Sequence, residues 1–82
     1  MKKYFTYIIY SDNSDMYYIG STSNLDDRLA RHNSNRSKFT KNKGPWKLVA
    51  VKEFSSRSDA YNYEMKLKSF KNSAFALQYI RN

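Results

Sequence analysis

This sequence contains no cysteine, so it has no disulfide staple and no thiolate metal site, and it favours a reducing compartment. Acidic residues are scarce: seven, against 15 lysines and arginines, for a net charge of +8. In a chain of 82 residues that imbalance favours a polyanionic partner. The plainer reading is basicity that serves solubility. No apolar run approaches the ~20 residues of a membrane helix. Tyr4 to Tyr10, after the basic Met1-Lys2-Lys3, is too short and too phenolic for a signal-peptide core. The expectation is a soluble, cytoplasmic protein without membrane contact. With no internal repeat and no second compositional block, residues 1–82 read as one domain. A domain of this size buries only ~60% of its unfolded surface. The aromatic content of 17% compensates, because each ring carries a large buried area.

What is present is organised around Tyr7 to His32. Two tyrosine-rich apolar runs, Tyr4 to Tyr10 and Met16 to Gly20, flank a Ser-Asp-Asn-Ser-Asp turn. That pattern predicts a β-hairpin. If residues 11–14 form the loop, Tyr10 pairs with Asp15 and Tyr7 faces Tyr18, two phenols side by side on one sheet face. The first strand is apolar on both faces and reads as central. Gly20 suits a tight exit or a close backbone approach by a ligand.

A helix is expected from about Asn24 to Ser34, capped by Thr22 or Ser23, with Asp26 in the first turn. Leu25 and Leu29 define its apolar stripe. At ~100° per residue, Arg28 and His32 fall on that stripe and are neighbours. A cation and an imidazole on a core-facing stripe need a reason. The bland one is an arginine snorkelling to a carboxylate beside a hydrogen-bonded core histidine.

From Arg31 to Lys47 there are six basic residues and no acid: Arg31, Arg36, Lys38, Lys41, Lys43 and Lys47. Such a stripe is a phosphate-tracking footprint, and it points to nucleic acid. It lies in an Asn/Ser/Lys-rich loop, residues 33–45, that ends in the Gly44-Pro45 breaker and that Phe39 is expected to pin. Trp46 to Phe54 reads as the third strand. A second helix, capped by Ser56 or Ser58, runs from about Arg57 to Phe70, and a third from Ala74 to Ile80 starts at Asn72 or Ser73. On the second helix Ala60, Tyr63, Leu67 and Phe70 form the apolar stripe, and Glu64 falls within it. A carboxylate there breaks the rule that charges are not buried unpaired. Its bland explanation is a structural ion pair, with Arg28 as a partner.

Taken together, Phe5-Thr6-Tyr7, Tyr18-Ile19-Gly20, Arg28, His32 and Glu64 resemble the GIY-YIG nuclease family, most closely its small single-domain bacterial members related to the nuclease subunit of excision repair. The second motif is literal. The first keeps only its tyrosine, with Phe5 in place of glycine. The resemblance covers nearly the whole chain. It implies an α+β fold: a three-stranded antiparallel sheet, strands near 4–10, 15–20 and 46–54, with three flanking helices. It implies an endonuclease that hydrolyses phosphodiester bonds in DNA, nicking or structure-preferring, with a role in DNA repair. Glu64 would bind one divalent ion, Mg²⁺ or Mn²⁺. Arg28 would hold the phosphate, Tyr7 would act as general base, and Tyr18 and His32 would position water or relay the proton. Gly20 is the motif glycine. The family's late asparagine has no convincing counterpart in Asn72 or Asn82, and no appended recognition module is expected. Hence the alternative is a non-catalytic nucleic-acid-binding module on the same scaffold. A monomer is the default oligomeric state.

Overall fold

Tyr4–Ser11 (β1) is the centre of an antiparallel sheet in the order β2-β1-β3, with Met16–Thr22 (β2) and Lys47–Phe54 (β3) on its two sides. The arrangement comes from a computed structural model that describes residues 2–82. Three helices follow the strands: Leu25–Asn33 (α1) between β2 and β3, then Arg57–Ser69 (α2) and Ser73–Arg81 (α3). No helix among the described residues is long and apolar enough to cross a membrane.

β1 is central because both of its faces are buried, as its double apolar pattern predicts. Ile8 joins Leu67 of α2 and Ala76 and Ile80 of α3 in one cluster. Tyr7 and Ile9 join Trp46, with Leu25 and Leu29 of α1 packed against them, in another. Burying one such side chain contributes roughly 1.5–3 kcal/mol. Consecutive residues of β1 thus address different layers: the Thr6 hydroxyl donates to the Ala60 carbonyl of α2 at 2.7 Å, while Tyr7 turns to α1.

The hairpin register differs from the one the turn suggests. Ser11 pairs with Met16, so Tyr7 lies opposite Gly20 and Tyr18 lies opposite Ile9. Relative to the expected pairing, each partner moves by two residues. A two-residue shift preserves the face of every side chain, so the phenols stay on one face but meet diagonally. The cause lies in the turn. Ser11 is buried, donates its hydroxyl to the distant Lys43 carbonyl and accepts from the Ser14 amide, which holds it in the strand. Asp15 takes the left-handed turn position at φ 51 and accepts the Tyr10 hydroxyl at 2.7 Å.

The N-cap of α1 is Asn24, which accepts from the Asp27 amide at 3.1 Å, not Thr22 or Ser23. Thr22 instead accepts the Asn24 amide and sets the cap residue itself. Asp26 and Asp27 in the first turn suit the positive end of the helix dipole. Ser56 caps α2 and Asn72 caps α3. β3 begins one residue late. A bulge sets Ile8 against Ala50 and Ile9 against Leu48, and Trp46 precedes the strand as a buried plug against Tyr7 and Ile9.

Candidate active site

Tyr7 stands in the middle of the central strand and is 1% exposed. Its ring lies across Gly20. A Cβ at Gly20 would stand 2.5 Å from the phenol oxygen and 2.8 Å from Cζ. The glycine therefore serves a buried ring, where the sequence suggested a tight exit or a ligand; β2 continues past it to Thr22.

The last turn of α1 brings the chain's one histidine, His32, onto this phenol, with Tyr7 Oη and His32 Nε2 3.0 Å apart. The Tyr18 ring also packs against the imidazole, ring centroids 5.0 Å apart. The second ring nitrogen, Nδ1, is 2.8 Å from the Thr40 hydroxyl. The Thr40 carbonyl accepts the Trp46 indole N–H at 3.2 Å, and the Asn33 side chain clasps the Trp46 backbone from both sides at 2.6 and 3.0 Å. The His32 to Trp46 segment is thereby tied to the end of α1 by its buried members.

Arg28 sits half-buried one turn before His32 on α1. Burial pushes the Tyr7 phenol up to about 12; the Arg28 guanidinium works against that shift, and Tyr18 and Glu64 reinforce it. Burial also lowers the His32 pKa, with the Arg28 and Arg31 cations adding to the effect. At neutral pH the pair is an uncharged phenol against an uncharged imidazole.

Glu64 arrives from α2, on the far side of the sheet. Its Oε1 accepts the Ser21 hydroxyl at 2.6 Å, next to Gly20, and its Oε2 pairs with Lys68 Nζ at 2.7 Å. The expected partner Arg28 is replaced by Lys68, one helical turn on. The carboxylate is nearly enclosed, its side chain 11% exposed, whereas Lys68 is 44% exposed. Among the described residues no group of three or more His, Asp or Glu side chains could hold a metal. A hard ion hung on this single carboxylate, with water filling its other positions, would take the place that Lys68 holds on Oε2.

Five residues expected to bind nucleic acid, Arg31, Arg36, Lys38, Lys41 and Lys43, are exposed and form no ion pair among the described residues. Lys47 pairs with Asp12 at 3.1 Å. The loop between α1 and β3 is built, not irregular: Asn35 and Asn42 take left-handed conformations at φ 63 and 64, and the Asn35 side-chain oxygen Oδ1 accepts the Asn42 backbone amide at 2.9 Å. Phe39 is 68% exposed and does not pin it; Thr40 and Trp46 do. Sequence reasoning missed Thr40, Asn33, Ser21 and Lys68. Trp46, a lone large ring beside a Gly-Pro breaker, and Lys68, four residues after Glu64 on one helix, carried local signals.

A family model described as the GIY-YIG catalytic domain matches residues 3–78. The UPF0213 protein YsiG of Lactococcus lactis is 42% identical over 65 residues, which cover 78% of this chain and 62% of that protein. The chain thus spans less than two thirds of YsiG. A UPF0213 protein of Staphylococcus haemolyticus is 37% identical over 71 residues, 85% of each chain. Among solved structures, the solution NMR structure of the UPF0213 protein BH0048 from Bacillus halodurans superposes with a TM-score of 0.50 at 31% identity, covering 82% of this chain and 71% of that one.

Proposed function

We propose that this chain, which belongs to the GIY-YIG family, is a divalent-metal-dependent endonuclease that hydrolyses phosphodiester bonds in DNA. The observation that carries the reading is the Tyr7–His32 hydrogen bond of 3.0 Å beside Arg28.

A phenol pushed up to about 12 is too weak an acid to stand as a free phenolate at neutral pH. The hydrogen bond offers another route. As the attacking water forms its bond to phosphorus, its proton passes to the Tyr7 oxygen, and the Tyr7 proton passes to His32 Nε2. The bond from phosphorus to the leaving sugar oxygen breaks, and that oxygen takes a proton from solvent. Neutral His32, held so by burial, is the acceptor this exchange needs. Arg28 holds a non-bridging phosphate oxygen and offsets the charge gained in the transition state. Tyr18 packs the imidazole in place. An ion held by Glu64, Mg²⁺ or Mn²⁺, would neutralise phosphate charge and favour ionisation of bound water. The exposed cations from Arg31 to Lys43 hold the DNA backbone. Phosphate contacts carry no sequence information, so selection rests on DNA structure.

The alternative is a non-catalytic nucleic-acid-binding module, favoured by Phe5 in the first motif and by Lys68 on the Glu64 carboxylate. Incubation with supercoiled plasmid, branched duplexes and RNA, in Mg²⁺, Mn²⁺ or chelator, tests the two. The endonuclease reading predicts metal-dependent nicking of DNA. Tight binding to DNA with every substrate intact would leave the binding module.

A further inference from the structure

Two side-chain hydrogen bonds converge on a residue with no place in the scheme above. Thr40 is 0% exposed, its hydroxyl lies 2.8 Å from His32 Nδ1, and its carbonyl is held by the Trp46 indole. Because Asn33 follows His32 directly and clasps Trp46, the threonine and the imidazole are fixed to the same helix end. We propose that Thr40 is a positioning residue whose hydroxyl accepts from His32 Nδ1–H, so that the unprotonated Nε2 faces Tyr7. This rests on reading the Tyr7–His32 contact as the proton path.

The direction of the two bonds follows from the chemistry of the hydroxyls. A neutral imidazole has one donor and one acceptor nitrogen, and the partner of one nitrogen sets the state of the other. His32 lies between a phenol and an aliphatic alcohol. The phenol is the more acidic, hence the better donor, and its ring-conjugated oxygen is the poorer acceptor. The favoured arrangement has Tyr7 O–H donating to Nε2 and Nδ1–H donating to Thr40. The opposite tautomer would place a proton on Nε2, where the Tyr7 proton must go, and would block the exchange. The basic loop therefore supplies a buried hydroxyl to the reaction centre as well as cations for the backbone.

The chain holds one histidine, so a ¹⁵N-histidine spectrum of the whole protein reads its tautomer directly. Above the His32 pKa, we expect a protonated Nδ1 and an unprotonated Nε2 in the wild type. Thr40→Val, of the same shape but without an acceptor, should move the proton to Nε2 and slow DNA cleavage at least about tenfold, by analogy with the low end of the loss when the partner that orients a metal-bound histidine is removed. Thr40→Ser should restore both. A wild-type imidazole protonated at Nε2 overturns the proposal whether or not any variant folds. So does a Thr40→Val protein whose tautomer shifts while cleavage does not. A wild type with the expected tautomer that cleaves nothing supports Thr40's hold on His32 and counts against the nuclease reading alone.

Discussion

The Tyr7 ring occupies the space that a side chain on Gly20 would fill, the phenol oxygen lying 2.5 Å from where a Cβ would stand. The two residues are opposite each other on adjacent strands. Neither can yield easily: Tyr7 is enclosed by α1 and the sheet, and Gly20 is mid-strand. Gly20→Ala should therefore cost about 1–3 kcal/mol, as overpacking does. In a domain of this size, each kcal/mol lowers the melting temperature by roughly 4–8 °C. Cleavage should fall further than stability, because the displaced phenol loses His32. A Gly20→Ala protein that melts and cuts like the wild type would show that Tyr7 sits elsewhere.

The pH dependence follows from His32. Its folded pKa is depressed by burial and by Arg28 and Arg31, below the ordinary ~6.5 of the unfolded chain. As pH falls through ~6.5, the unfolded state takes up the proton first, so stability declines until the lower folded pKa is reached. Above ~6.5 this contribution is fully present and flat. Urea titrations at several pH values should show that slope in the wild type and less of it in His32→Gln. DNA cleavage should rise with pH through a midpoint below 6.5, because only neutral imidazole accepts the proton. A midpoint above 6.5 would contradict burial as the governing effect.

Glu64 separates function from structure. A buried ion pair broken on one side costs about 3–5 kcal/mol. Here the partner Lys68 is 44% exposed and returns to water when released. Glu64→Gln also keeps an acceptor for Ser21. The loss should stay near the ~0.2–1 kcal/mol of an exposed pair. Mg²⁺ or Mn²⁺ should raise the melting temperature of the wild type and not of the variant. A large destabilisation, together with a wild type blind to metal, would make Glu64 a structural residue.

The basic loop should bind DNA through counterion release. Replacing Lys38, Lys41 and Lys43 with Ala removes three exposed cations. The slope of log affinity against log salt should flatten by up to about 3. Binding indifferent to both salt and the triple change would move the footprint to another face.

Much of this was legible because local rules were kept or broken locally. β1 declared itself central through two apolar faces. Arg28, His32 and Glu64 stood out as two charges and an imidazole on apolar stripes. The hairpin register was not legible, because Ser11 is fixed by the carbonyl of Lys43, a residue far along the chain. The cap of α1 slipped by one or two residues because Thr22, Ser23 and Asn24 offer nearly equivalent chemistry. Thr40 and Ser21 left no signal: their hydrogen bonds are fixed by tertiary placement, with no periodicity to reveal them. Lys68 was legible in principle, because it stands four residues after Glu64 on one helix.

The most direct test is single-turnover cleavage of a nicked or branched DNA by wild type, Tyr7→Phe and Glu64→Gln, with DNA affinity measured in parallel. Metal-dependent cleavage by the wild type, reduced at least about a hundredfold in both variants at unchanged affinity, is the predicted result; removing one transition-state contact commonly costs that much. Cleavage that survives Glu64→Gln, or a wild type that binds DNA tightly and never cuts it, would contradict the assignment.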